Sequence, residues 1–257
     1  GYQIINRFSE DIDIHIKPPA GFEINENPKN TKPKNVMARK KFYDWLAETI
    51  KINGIIGARR DTGFDDEIYY RSGGIRLHYR TLTGASEGIK EGILLEAGFD
   101  RVTPNNAMTI SSWAYDKAIR QGVPVIDNRA LDIACYHPGY TFVEKLQTVA
   151  TKFRQEQETK QERQNLMRQY YDIYSLLGND EVRKFIGTEE YFEHKEERFP
   201  KVDLHIPIAE NEAFLLSNQE LKDRFVQRYQ ATATLYYIGQ PDFEEMLAEI
   251  GRWVEKL

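Results

Sequence analysis

Two aspartates separated by a single residue, Asp11 and Asp13 in the stretch RFSEDIDIHI, are the side chains best suited to chemistry in this sequence. A β-strand alternates its side chains between two faces. Ser9, Asp11, Asp13 and His15 then share one face. Ile12, Ile14 and Ile16 share the other, which is expected to be the core side. Like charges on one sheet face repel, and a cation between them removes that cost. Carboxylates offering only oxygen suit Mg²⁺, which keeps its own waters and takes substrate phosphates as further ligands. The chemistry implied is transfer of a phosphoryl or nucleotidyl group, with a two-metal site as its fullest form. Taken alone, a D-x-D more often marks a solvated edge strand.

Other charged residues bear on that choice. Glu96 in GILLEAG stands inside an apolar run, where an acid is costly unless paired, exposed or metal-bound. A neighbouring strand would make it a third carboxylate beside Asp11 and Asp13; otherwise it is an exposed acid. Lys145 in TFVEKLQ lies beside the stripe of Phe142 and Leu146, where most lysines are simply surface. Asp172 in RQYYDIYSLL follows Arg168 by four residues, a pair worth a few tenths of a kcal/mol on a helix.

These residues need elements to position them. The polar, proline-containing stretch 25–35 reads as a loop, with Asn35 as the cap of a helix running to about Asn53. Short strand signals follow in IIGARR, GIRLHYRTL, GIKEGILLEAG and AMTIS. A helix over Trp113–Arg120 and a short apolar piece at LDIACY come next. After Pro138 the period changes: Phe142, Leu146, Val149 and Phe153 mark one helix face, and Leu166, Tyr170, Ile173 and Leu177 another. The polar segment RQEQETKQER between them reads as a solvated turn or helix face, and further helices fall near 179–197, 217–238 and 240–256. The expected fold is α+β, a mixed-sheet domain over 1–137 followed by a helical domain over 138–257.

Composition removes several alternatives. No apolar run approaches the roughly 20 residues that span a bilayer, and one cysteine, Cys135, excludes an internal disulfide. A reducing, cytoplasmic setting is expected, with Cys135 as a core thiol. The net charge of −5 announces no nucleic-acid binding surface, so any polyanion site is local. There is no P-loop, G-x-G-x-x-G, H-E-x-x-H or C-x-x-C, and the five histidines show no metal spacing. Lys152, Arg154, Lys160, Arg163 and Arg168 gather loosely among glutamates and offer phosphate contacts or merely a charged face. Tyr170, Tyr171 and Tyr174 either stack a base or belong to the core.

As an ordered set, RFSEDIDIHI, LLEAGF, P…TFVEKLQTVATKFR and R…YYDIYSLL resemble the AbiEii/AbiGii-type nucleotidyltransferase toxins of the DNA polymerase β nucleotidyltransferase superfamily. The resemblance covers about residues 1–180. It implies that Asp11 and Asp13 hold catalytic Mg²⁺, with Ser9 beside them in the nucleotide pocket. Glu96 matches the third strand carboxylate, often aspartate in the family, as metal ligand or general base. Lys145 would hold the nucleotide's phosphates, and Asp172 would orient Lys145 or the acceptor. The implied activity is transfer of a nucleotide from a nucleoside triphosphate to an acceptor hydroxyl, with the tRNA 3′ end as acceptor and a cognate antitoxin as partner. The family's glycine-rich turn is expected ahead of GYQIINRF, upstream of the residues given. A small-molecule or protein acceptor, and a non-catalytic partner-binding module, are the alternatives.

Overall fold

A computed structural model describes residues 2–9, 11–81, 91–100, 102–163 and 165–257. Ser9–Val102 form one compact unit; Gly1–Phe8 together with Thr103–Leu257 form another. The change of character at residue 137 marks the passage from strand to helix within the second of these. The strand stretches around GIRLHYRTL and GIKEGILLEAG extend at residues 82 and 88–90 beyond the described residues.

The first unit is a four-stranded sheet. Its strands are β1 (Asp11–Ile14), β2 (Ile55–Arg60), β3 (Ser72–Tyr79) and β4 (Ile93–Gly98), in the spatial order β1-β4-β3-β2. β1 runs parallel to β4, and the other neighbours are antiparallel. Helix α1 (Pro33–Thr49) starts with Pro33 in its first turn, where a missing N–H costs nothing. Lys32 is therefore the N-cap, and Asn35, read above as the cap, sits inside the first turn. Phe42, Tyr43, Leu46 and Ala47 of α1 bury one sheet face against Ile75, Leu77, Leu95 and Ala97. Gly73 makes that approach close: a Cβ there would lie 2.5 Å from the Tyr43 ring.

Ile14 and Ile16 pack against this core, but Ile12, expected with them, is 48 % exposed. β1 is an edge strand, and α1 packs over β2 and β3 instead. The alternation of the isoleucines is real; the cover for the first of them is lacking among the described residues.

The second unit opens with an antiparallel pair, β5 (Asn105–Ile110) and β6 (Ala130–Tyr136), flanking α2 (Trp113–Arg120). Cys135 on β6 is half-buried, not a core thiol, because this small sheet has little covering it. Helices α3 (Pro138–Thr159) and α4 (Leu166–Leu177) form the centre. Phe142, Leu146, Val149 and Phe153 all face inward from α3, as do Leu166, Tyr170, Ile173 and Leu177 from α4. Each such side chain contributes about 1.5–3 kcal/mol. Around them lie α5 (Asp180–Phe185), α6 (Glu189–Arg198), α7 (Lys201–Leu204), α8 (Glu212–Leu215), α9 (Gln219–Gln230) and α10 (Phe243–Gly251). The helix expected over 179–197 is broken in two at Gly187, whose φ of +82° is open to glycine. RQEQETKQER is not wholly solvated: Glu156 is buried and holds Arg228 at 2.8 Å.

No helix among the described residues is long and apolar enough to cross a membrane.

Candidate active site

The pairing of β1 with β4 sets Asp13 opposite Glu96 and Asp11 opposite Leu94. Partners in a sheet point to the same side, so Asp11, Asp13 and Glu96 share the face turned away from α1. Ser9 and Asp11 are exposed, and the Ser9 hydroxyl donates to Asp11 Oδ1 at 2.5 Å. Glu96 is half-buried. Burial pushes its carboxyl up to about 7, and the charges of Asp13 and Asp11 add to the effect, against a smaller opposing pull from Arg76. Three acids in mutual repulsion, with oxygen as the sole donor atom, fit a hard cation. Among the described residues no three His, Cys, Asp or Glu side chains close into a ready-made cage. Mg²⁺ does not require one, since waters and substrate phosphates complete its shell.

His15, expected on the acidic face, follows the end of β1, with its ring edge-on to that of Phe99 at 5.7 Å between centroids. Its Nε2 is 3.0 Å from Glu26 Oε2 and its Nδ1 is 3.3 Å from the Asp100 carbonyl.

In the helical unit, Asp172 is fully buried on α4 and is satisfied by two cations. Arg7 donates through Nε to Oδ1 at 2.9 Å and through Nη2 to Oδ2 at 2.8 Å. Lys145 Nζ on α3 lies 3.1 Å from Oδ2. Lys145 keeps about a quarter of its side chain exposed, so its ammonium is oriented by Asp172 while still reaching solvent. Arg7 is held in turn by the bridge between its backbone and Tyr236. Sequence reasoning missed Arg7. The available signal was Asp172 itself: a carboxylate in an apolar helix needs more compensation than an i−4 arginine supplies.

The other acceptor-binding candidates separate on burial. The Tyr170 hydroxyl donates to the Ala213 carbonyl at 2.6 Å, and the Tyr171 hydroxyl accepts from the Asn6 N–H at 3.0 Å. Both rings are core, and Tyr174 packs against that core half-buried, so none of the three is a free stacking platform. Arg154 is committed to Asp203 and Glu158. Burial lowers the Lys152 ammonium, and nearby Lys145 lowers it further.

A family model described as "Nucleotidyl transferase AbiEii toxin, Type IV TA system" matches residues 1–249. The chain belongs to the AbiEii nucleotidyl transferase toxin family. It is a nucleotidyltransferase, the toxin side of a type IV toxin–antitoxin system, and the reading as a non-catalytic module falls. The match extends past residue 180, so the C-terminal helices are part of the AbiEii unit and not an appendage. No curated protein and no solved structure matches the chain.

Proposed function

We propose that this AbiEii-family chain transfers a nucleoside monophosphate from a nucleoside triphosphate to a hydroxyl of RNA, with the tRNA 3′ end as acceptor and Mg²⁺ as cofactor. The observation that carries the reading is the parallel pairing of β1 with β4, which puts Glu96 beside the Asp11–Asp13 pair.

In this reading Asp11, Asp13 and Glu96 hold Mg²⁺, with Ser9 fixing one Asp11 oxygen. When bound, the cation neutralises charge on the reacting phosphate and the leaving pyrophosphate. Lys145 grips the nucleotide's phosphates. Asp172 is a positioning residue: both its oxygens are taken by Arg7 and Lys145, so it aims the lysine rather than touching substrate. The acceptor oxygen bonds to the α-phosphorus, the bond to pyrophosphate breaks, and the hydroxyl proton passes to Glu96. Positioning and charge complementarity supply most of the acceleration.

The test is direct. The protein is incubated with Mg²⁺, each labelled nucleoside triphosphate in turn, and total cellular RNA. Label on a tRNA-sized band is expected, and Asp13→Ala should lower it by at least about two to three orders of magnitude with an unchanged circular-dichroism melt. Label on a small molecule or on protein instead would replace the acceptor, and full activity in Asp13→Ala would remove the acidic pair from the mechanism.

A further inference from the structure

The acidic face of the sheet continues past Glu96 into a cavity lined by arginine and histidine. The register places Gly74 of β3 opposite Glu96, Arg76 opposite Leu94, and Arg59 of β2 opposite Arg76. His78 follows Arg76 on the same face by alternation. These side chains line a cavity of about 480 Å³, walled by Asp61 and Thr62. Gly74 admits that wall, since a Cβ would lie 2.5 Å from the Asp61 carbonyl.

The cavity holds unspent donors. Arg76 is 7 % exposed, and its Nε and Nη2 donate to Asp61 Oδ2 at 3.0 and 2.7 Å. Its Nη1 and the Nε2 of His78 are buried with no hydrogen-bond partner among the described residues. Leaving a buried charged donor unpaired costs more than most polar defects. Arg59 is exposed and makes no ion pair among the described residues. Arg60 also lines the cavity, but its guanidinium is engaged by Asp44 and Asp65. Glu91 lines it as well. Arg60 pairs across the ladder with core-facing Ile75, so the guanidinium groups left to the cavity are those of Arg59 and Arg76, balanced in charge by Asp61 and Glu91. Unspent donors without an excess of positive charge suit a singly charged phosphodiester and not a triphosphate.

We propose that this cavity binds a backbone phosphodiester of the acceptor RNA, next to the hydroxyl that reacts at Glu96; the assignment rests on the nucleotidyltransferase reading above. Across the sheet face the order is then cation ligands on β1, base on β4, and acceptor phosphate on β3 and β2.

A fluorescein-labelled single-stranded oligoribonucleotide is titrated by anisotropy against the whole chain, its Arg59→Ala variant and its His78→Asn variant. Arg59→Ala should raise Kd about tenfold, the scale of one charge-assisted contact. It should also reduce the slope of log K against log salt by about 0.7. His78→Asn should raise Kd about threefold. Affinity for a fluorescent nucleoside triphosphate should not change in either variant. An unchanged RNA affinity and salt slope in both variants overturns the inference, as does a loss that appears only in triphosphate binding, or a wild-type chain that binds no RNA. Transfer to RNA with Arg59→Ala indistinguishable from wild type sinks the inference alone. Arg59-dependent RNA binding without any transfer sinks the catalytic reading and leaves the phosphodiester site standing.

Discussion

Glu96 carries the residue-scale consequence that is easiest to measure. Its carboxyl holds a proton more tightly in the folded chain than in the unfolded one, because burial and the Asp13 and Asp11 charges oppose ionisation. A raised folded affinity contributes stability that is complete below the ordinary value of 4.5 and is lost as pH rises toward about 7. Allowing for its half exposure, the loss is about 1–2 kcal/mol. In EDTA, urea midpoints should therefore fall between pH 5 and 7.5, and Glu96→Gln should flatten that trend. Added Mg²⁺ should flatten it in the wild-type chain as well; a slope indifferent to both changes would detach Glu96 from the acidic pair. The D-x-D was legible in the sequence because an alternating strand with two acids on one face is a local pattern. The proximity of Glu96 was legible only as an option, since no local pattern states which strand lies beside β1. Arg7 was not legible at all, because its partner is 165 residues away.

At the scale of elements, the Asp172 cluster ties α3, α4 and the segment before β1 together. Asp172→Ala strands two cations against a buried helix face, and the expected loss is about 3–5 kcal/mol, read from chemical denaturation. Lys145→Ala should cost far less stability, since its ammonium is partly solvated, yet should collapse nucleotide transfer; a neutral kinetic result would return Lys145 to the surface. A second tie lies between α3 and α6. Burial works against the Glu144 charge, but His194 and Arg198 outweigh it and hold the carboxyl below its ordinary range. Helix faces were readable from period alone, as α3 and α4 attest. Their ends were not: Pro33 moved a cap, Gly187 split a helix, and Glu156 drew part of a polar segment into the interior. Each of those outcomes depends on a tertiary partner or a single backbone angle.

At the scale of the molecule, one unit is inserted in the sequence of the other: Ser9–Val102 form one, while Gly1–Phe8 belong with Thr103–Leu257. Arg7→Ala should therefore show its effect far along the chain. Hydrogen exchange is expected to quicken in α4 and around Tyr236, with β2, β3 and β4 unaffected; equal loosening of both units would mean that the division is not an energetic one. The sequence could not reveal this arrangement, because composition changes at residue 137 while the chain returns to its first segment silently. During synthesis the consequence is temporal. The acidic strands can pair once residue 102 is free of the ribosome, but the arginine at position 7 waits for its carboxylate and then for the stretch around Tyr236. At about 5–20 residues per second the stretch from residue 102 to Tyr236 takes on the order of 7–27 s. Under the proposed mechanism a growing toxin carries its cation ligands early and acquires its aimed lysine late, so that a chain that stops short is born disarmed.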